Sequence, residues 1–353
     1  MKENTKNTLR KAGLKLLLLI AVLAALDVIY YYTFYPKDLK EHCTLINLSK
    51  KPALEGGDII YLGESSNHSF CEADSDQRYI CMMLDDLLPD HKVCNLAKDA
   101  CHAGVFYDIM RNIPQENEVQ TAVVTVNMRS FSSEWINSDL ETALQKEQVM
   151  MKRAPALYKR MLLAFKGYTH WTEEERGHKV RKDLKKQRFN IPDFPYHNAS
   201  EWDRALGKTG MLFNGTYPSW DTIALACHYI KDFAYQLDER NPRIKDFDKI
   251  VKLCQKRGWK VVFNILADNM DQIEALVGPE LPWLMRQNNQ YIMDRYQPQG
   301  VTVVNNYNII RDEEFFERDF PTEHYTQTGR LTIARNIVES ISKLVNSPQY
   351  PKQ

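Results

Sequence analysis

The sequence predicts an α/β protein with a mainly parallel sheet, and three observations support this prediction. Short runs rich in β-branched residues recur along the chain, and stretches with helical spacing of apolar residues separate them. Strands that alternate with helices favour parallel pairing through right-handed crossovers. Residues 261–266 also form a nearly continuous apolar run, typical of a central strand that is covered on both faces. We therefore expect five strands, at 58–62, 92–96, 122–126, 259–266 and 301–305.

Helices are expected between and after these strands, wherever apolar residues recur with helical spacing, at 77–88, 105–112, 223–237, 244–257, 281–297 and 329–344. Residues 130 to about 218 break this rhythm, because charge-rich helical stretches are followed there by several prolines. We interpret this segment as a helical insertion over the carboxyl edge of the sheet. Its basic run at 179–188 is typical of a solvated helix face, and contact with an anionic glycan or lipid headgroup is the alternative.

The N-terminal region has the composition of a membrane anchor. Residues 16–36 contain a single charge, Asp27, and a helix of that length spans about 30 Å, the thickness of the hydrocarbon layer. Because basic residues are concentrated within 1–15, we expect this tail in the cytoplasm, a linker at 37–55 and the body at 56–348 outside. A signal peptide cleaved near residue 24, which would release a secreted protein, is the alternative.

Composition excludes several classes of protein. Basic and acidic residues number 46 each, so a chain-wide electrostatic footprint for nucleic acid is missing. Seven cysteines are too few for a disulfide scaffold, although Cys71 with Cys81 and Cys94 with Cys101 are near enough in sequence to close small loops. The histidine and cysteine spacings fit no zinc site, and we expect neither a metal nor a cofactor.

Candidate chemistry lies just after the strands, where ligands bind in parallel α/β sheets. Ser65 and Ser66 follow the first strand, on a turn that either exposes a nucleophilic hydroxyl or caps a helix. The amide of Asn127, after the third strand, is suited to donate to a developing oxyanion. Asp268 and Asn269 follow the fourth strand, either as substrate contacts or as an Asx turn into the next helix.

A histidine with nearby carboxylates precedes the last predicted helix. His324 follows Glu323 directly and Asp319 by five residues, so either carboxylate is a candidate to orient the imidazole as a general base. A serine, an asparagine and a histidine in this order, each near the end of a strand or the start of a helix, favour acyl-transfer chemistry.

These pieces resemble the SGNH, or GDSL-like, superfamily of esterases and acyltransferases. Gly63-Glu64-Ser65 is similar to the first block of that family, Asn127 to the third block, and His324-Tyr325-Thr326 with Gly329 to the terminal block. The resemblance covers residues 56 to about 345 and implies a flavodoxin-like, three-layer fold. It also implies Ser65 as nucleophile, His324 as base, and an oxyanion hole made by the Ser65 N–H, a glycine N–H and the Asn127 amide.

The chain departs from the family pattern at three places, and the first is Glu64, where the family normally has an aspartate. The usual aspartate position, three residues before the histidine, holds Pro321, so Asp319, Glu323 or a backbone carbonyl is expected to orient His324. The expected glycine position holds Ala100, and Gly104 is the nearest substitute. These departures and the anchor resemble the membrane-anchored branch that acts in cell-envelope acylation, similar to the D-alanyl-lipoteichoic acid biosynthesis and alginate O-acetylation proteins.

The sequence therefore predicts an extracytoplasmic serine esterase or O-acyltransferase that acts on acyl esters of a cell-envelope glycan or polymer. Its expected partners are that polymer and a membrane-bound acyltransferase. The alternative is an inactive relative that binds a glycan or such an acyltransferase as an assembly factor. Reactivity at Ser65 distinguishes the two, because both have the same fold.

Overall fold

The computed structural model describes residues 2–169 and 171–345. These residues fall into two compact units. The sheet unit consists of residues 48–141 and 171 onward, and the N-terminal unit consists of residues 1–47 and 142–170. The predicted insertion at 130–218 is therefore divided between the two units.

Five parallel strands form the sheet, in the order β2-β1-β3-β4-β5, with bounds β1 Ile59–Leu62, β2 Val93–Asn95, β3 Thr121–Val126, β4 Lys260–Ile265 and β5 Thr302–Asn305. Each strand falls within a predicted run or within one residue of it, which confirms the predicted fold class. The strand order is that of a flavodoxin-like sheet. β4 is an interior strand as expected, although the middle position belongs to β3.

The described α-helices are, in chain order, α1 Lys2–Thr33, α2 Tyr35–His42, α3 Leu45–Leu54, α4 Ser65–His68, α5 Ile80–Leu87, α6 Ala103–Asn112, α7 Ser133–Ile136, α8 Asp139–Met151, α9 Ala156–Ala164, α10 Glu173–Lys186, α11 Ala199–Thr209, α12 Trp220–Phe233, α13 Pro242–Arg257, α14 Met270–Val277, α15 Glu280–Tyr296 and α16 Gln327–Val345. Short 3-10 turns lie at Met128–Phe131, Gln297–Gln299 and Asp312–Glu314. Helices thus occupy the predicted insertion, and α2 and α3 occupy most of the predicted linker.

Helices cover both faces of the sheet because adjacent strand residues point to opposite sides. Val262 of β4 belongs to a core cluster with Val123 of β3 and with α5 and α16, whose Ile80 and Ile333 are fully buried. The next residue, Phe263, faces the other side, where its ring packs 5.0 Å from those of Phe247 in α13 and Tyr296 in α15. This alternation produces three layers, helix, sheet and helix.

The strand order sets the position of the site. In the sheet, β2 lies on one side of β1, whereas β3, β4 and β5 lie on the other side. The direction in which consecutive strands are added therefore reverses between β1 and β3. The crevice of such a sheet opens where the order reverses, at the carboxyl ends of β1 and β3. Those ends are Leu62 and Val126, which are followed directly by the segments that carry Ser65 and Asn127.

Among the described residues, one helix is long and apolar enough to cross a membrane, residues 6–33 of α1, which contains an 18-residue window with a mean hydropathy of 2.4. The helix is continuous from Lys2, so the predicted tail and anchor form one element. Asp27 accepts a hydrogen bond from the Leu157 N–H at 2.6 Å. Because amides in the first turn of a helix have no intrahelical acceptor, this carboxylate satisfies an otherwise unpaired donor of α9. Asp27 therefore has a partner within the chain.

Cys71, Cys81 and Cys94 are free thiols, so no disulfide joins either candidate pair, Cys71 with Cys81 or Cys94 with Cys101. Cys81 is held instead by Asn67, whose Oδ1 accepts the Cys81 N–H at 2.9 Å and whose Nδ2 lies 3.4 Å from the sulfur. Burial raises the pKa of the Cys81 and Cys94 thiols.

Candidate active site

Ser65 lies at the start of α4, on a tight turn that follows β1. Gly63 makes this turn possible, because a Cβ at that position would lie 2.7 Å from the ring of the buried Tyr61 and 3.4 Å from the Cβ of Ala97. As the first residue of a helix, Ser65 has a backbone N–H without an intrahelical acceptor. The hydroxyl and a donating amide of one residue thus lie together at the carboxyl edge of the sheet.

His324 reaches the Ser65 hydroxyl from the loop before α16. Its Nε2 lies 3.0 Å from Ser65 Oγ, and its Nδ1 lies 2.6 Å from Glu317 Oε2. The loop is fixed on both sides of the ring: the Phe316 ring stacks on His324, and the buried Tyr325 donates its hydroxyl to the Ala267 carbonyl at 2.8 Å. Serine, imidazole and carboxylate therefore form a continuous hydrogen-bonded chain.

The carboxylate in this chain is Glu317, which the sequence reasoning did not consider. An antiparallel bridge between Phe315 and Tyr325 folds the loop back on itself and brings residue 317 beside residue 324. Asp319 is exposed and makes no hydrogen bond among the described residues, and Glu323 points inward, away from the imidazole Nδ1. The expectation that Asp319 or Glu323 orients His324 is therefore corrected, because neither carboxylate contacts the ring. Spacing gave no signal for Glu317, which lies seven residues upstream and depends on the fold of the loop.

Glu323 instead fixes the Asn127 amide. Its Oε2 accepts hydrogen bonds from Asn127 Nδ2 at 3.0 Å and from Arg129 at 2.6 Å, and the Asn127 Oδ1 accepts the Arg129 N–H at 2.9 Å. The orientation of the amide is thereby set, with one Nδ2 hydrogen used by Glu323 and the other left over. Asn127 also lines a narrow cleft together with Glu64, so the amide that the sequence predicts as an oxyanion donor lies near the serine turn.

Gly104 does not provide a free amide to this cleft. It lies in the first turn of α6, and its N–H donates to Nδ1 of His102 at 3.1 Å. Ala100 lines the cleft instead, with a left-handed backbone (φ of 59°) that costs a non-glycine residue about 1–2 kcal/mol. The structure thus places Ala100, where the resemblance expects a glycine, at the cleft in a conformation that favours glycine. Ser66 is fully buried in α4 and does not line the cleft.

A buried ionic group forms another part of the cleft wall. Arg243 pairs with Glu141 and donates from Nε to the Ser130 carbonyl at 3.2 Å. Burial alone would raise the pKa of Glu141, but hydrogen bonding from His102 and the charge of Arg243 lower it to about 2. Burial and the charge of Arg243 lower the pKa of His102. The His102 side chain is buried and caps α6 from the loop before that helix.

Four charged or ionisable groups lie buried behind the site. Arg129 acts electrostatically on Glu323, Asp268 and Asp232, and all four side chains are almost completely buried. Burial raises the pKa of Asp232 to about 7, and burial together with the charge of Glu323 raises the pKa of Asp268 well above its usual range. The charge of Arg129 thus opposes the effect of burial on the pKa of all three carboxyl groups.

Asp268 and Asn269 are candidate substrate contacts by sequence, but the structure does not bring them to the serine. Neither lines the cleft, and among the described residues neither hydrogen-bonds to Ser65 or His324. Asn269 instead caps α14 by accepting the Gln272 N–H at 3.1 Å, and it donates to Asp312 at 2.8 Å. This is the helix-capping alternative that the sequence left open.

Within the described residues, one surface group in the N-terminal unit has the spacing of metal ligands. Asp38, Glu41 and His42 place one ligand atom each within 4.8 Å of one another. Asp38 already accepts a hydrogen bond from Tyr30 and lies 3.7 Å from Arg160. Because exposed acidic groups of this kind are common without a metal, nothing is assigned to it.

Comparisons with known proteins identify no family for this chain. No family model matches it, and no curated protein does. Among solved structures, the crystal structure of the lipase/acylhydrolase from Enterococcus faecalis aligns over 84% of this chain and 98% of its own, at 9% identity and a TM-score of 0.36.

Proposed function

We propose that this chain is a serine esterase or O-acyltransferase of the SGNH type. The observation that carries the proposal is the hydrogen-bonded chain of Ser65, His324 and Glu317, with distances of 3.0 and 2.6 Å. Its place at the reversal of strand order, where α/β sheets bind ligands, supports the same conclusion.

In the proposed mechanism His324 takes the Ser65 proton while Oγ attacks the acyl carbonyl of an ester. Glu317 accepts the Nδ1 hydrogen, which fixes the tautomer and stabilises the imidazolium that forms. The Ser65 N–H and the second Nδ2 hydrogen of Asn127 are the donors for the oxyanion. His324 then returns the proton to the departing alcohol, and water or a sugar hydroxyl resolves the acyl-enzyme.

The N-terminal helix supports an extracytoplasmic setting for this reaction. A helix with the apolar length of residues 6–33 and basic residues at its start is expected to anchor the chain with its N-terminus in the cytoplasm. The substrate class we propose is an acyl ester of a cell-envelope glycan or polymer, with a membrane-bound acyltransferase as a possible source of acyl groups.

A binding or assembly role without catalysis is the second candidate. Two observations favour it: the Gly104 amide is occupied by His102, and the Ser65 hydroxyl also lies 3.0 Å from Glu64, a second acceptor that competes with the base. An inactive relative would keep the same fold and cleft while the serine remained unreactive.

Labelling of the full-length chain in detergent with a fluorophosphonate probe tests the proposal, with the modified peptide identified by mass spectrometry. We expect label on Ser65, its loss in Ser65→Ala and its retention in Ser66→Ala, because Ser66 is buried away from His324. Absence of label on a folded sample, or label on another residue, would reject the esterase and favour the binding role.

A further inference from the structure

Glu64 stands directly before the proposed nucleophile and contacts it. Its Oε2 lies 3.0 Å from Ser65 Oγ, the same distance that separates Oγ from Nε2 of His324. A serine hydroxyl has one hydrogen, so it donates to the imidazole or to the carboxylate but not to both. The resemblance expects an aspartate at this position, and the additional methylene of glutamate extends the carboxylate toward Oγ.

The second oxygen of the same carboxylate has no partner. The Glu64 side chain is only 4% exposed and lines the cleft, and its Oε1 makes no hydrogen bond to any described residue. A buried carboxylate oxygen without a donor is costly, so a bound group that supplies an O–H or N–H to it is favoured. Because the Glu64 side chain lines the cleft, a group bound in the cleft is the expected source of this missing donor.

Formation of an acyl-enzyme leaves the Glu64 carboxylate with fewer hydrogen-bond donors. When Ser65 Oγ becomes an ester oxygen it has no hydrogen left, and Glu64 loses the one donor that Oε2 has among the described residues. Both oxygens of this buried carboxylate are then without a donor among the described residues. The molecule that resolves the acyl-enzyme must also give a proton to His324.

We infer that Glu64 binds the acceptor of the acyl group and selects acceptors that carry a second hydrogen-bond donor beside the reacting hydroxyl. This inference rests on the proposed acyl-enzyme mechanism. The reacting hydroxyl oxygen forms the new bond to the acyl carbon and passes its hydrogen to Nε2 of His324. The bond between the acyl carbon and Ser65 Oγ breaks, and Oγ recovers a hydrogen from His324. The second donor of the acceptor stays intact and hydrogen-bonds to Glu64.

The class of acceptor that Glu64 selects follows from the number of hydrogen-bond donors that each acceptor carries. Water and vicinal diols, including the diols of sugar rings, have one hydrogen for His324 and another for Glu64. A simple alcohol has only one and leaves the carboxylate without a partner. One hydrogen bond to a charged acceptor corresponds to a preference of about tenfold or more for the diol.

Two acceptors of similar size test this preference. Purified full-length protein is acylated with p-nitrophenyl acetate, and the acetyl group is partitioned between water and either ethylene glycol or 2-methoxyethanol, in which one hydroxyl is methylated. The products are quantified by chromatography and expressed per hydroxyl. We expect ethylene glycol to be favoured about tenfold or more by the unmodified protein.

Substitution of Glu64 separates a binding role from a structural one. Glu64→Met removes the acceptor at nearly constant length, and we expect its preference between the two alcohols to fall to about one. Glu64→Gln keeps the shape with a neutral acceptor, so its preference should fall severalfold even if the methionine variant does not fold. Glu313→Gln, a change at an exposed carboxylate of the loop before His324, is the matched control and should keep the full preference.

The two hypotheses fail in different ways. If Ser65 is not acylated, the esterase mechanism itself is wrong. If Ser65 is acylated but the unmodified protein does not distinguish the two alcohols, or if Glu64→Gln and every folded Glu64 variant keep the full preference, the role of Glu64 is refuted and the esterase stands.

Discussion

Replacement of Glu317 by glutamine removes the charge that faces the proposed catalytic base while it preserves the shape of the side chain. The Glu317 carboxylate lies 2.6 Å from Nδ1 of His324, and it stabilises the transition state because the ring becomes an imidazolium there. The Glu317 side chain is 47% exposed and that of His324 is 14% exposed, so solvent screens the interaction partly but not completely.

The size of the effect follows from Coulomb's law. Opposite charges about 4 Å apart attract by about 1 kcal/mol in water and about 4 kcal/mol at the effective dielectric constant typical of a protein surface. A half-exposed pair falls between these limits, at about 2 kcal/mol, which corresponds to a loss of roughly 30-fold in kcat/KM. The loss should be smaller than the roughly 10⁴-fold effect typical of a fully buried triad acid.

Hydrolysis of p-nitrophenyl acetate by the full-length protein measures this loss, and Asp319→Asn is the informative comparison. Asp319 lies two residues away on the same loop but makes no hydrogen bond among the described residues, so its replacement should change kcat/KM less than about twofold. Thermal unfolding of both variants should match that of the unmodified protein. Equal losses in the two variants, or full activity in Glu317→Gln, would refute the assignment of Glu317.

Three further predictions concern the groups that support the site. Arg129→Leu leaves Glu323 buried beside other carboxyl groups without its counter-charge and should lower the free energy of unfolding by about 3–5 kcal/mol, measured by chemical denaturation; a loss below about 1 kcal/mol would contradict the burial of this pair. Asp232 has a folded-state pKa of about 7, above its unfolded value, so the folded state binds more protons and stability falls as pH rises from about 4 to 7. Asp232→Asn should therefore stabilise the protein at pH 8 and flatten this slope, and an unchanged slope would show that Asp232 does not titrate as described. Gly63→Ala places a methyl group 2.7 Å from the Tyr61 ring and should abolish labelling at Ser65, whereas full labelling would show that the turn tolerates a side chain.

Local patterns were sufficient for the fold. The runs of β-branched residues predicted all five strands, because apolar periodicity is a property of contiguous residues and does not depend on what they pack against. The same logic identified the apolar N-terminal helix and placed Ser65 and Asn127 after the ends of β1 and β3, where the order of the sheet reverses. The resemblance of residues 324–329 to the terminal block of the family also implied His324 as the base for Ser65.

Tertiary structure decided which side chains meet. Glu317 rather than Asp319 or Glu323 contacts His324 because a bridge between Phe315 and Tyr325 folds the loop, and no spacing rule reports such a bridge. Glu323 points inward because it accepts hydrogen bonds from Arg129 and Asn127, which lie nearly two hundred residues earlier in the chain.

The two departures at the cleft have the same origin. Gly104 is suited by type to an oxyanion turn, but the capping of α6 by His102 uses its amide, and Ala100 takes the left-handed position beside the cleft. In the sequence, Glu64 is only a glutamate where the family normally has an aspartate, and the distance of 3.0 Å to Oγ shows that its carboxylate is a second acceptor for the serine. Sequence by itself determined the elements and the residue types at their ends, because these depend on local periodicity and propensity. The structure alone decided the pairings, because hydrogen bonds and burial depend on distances between segments that are far apart in the chain.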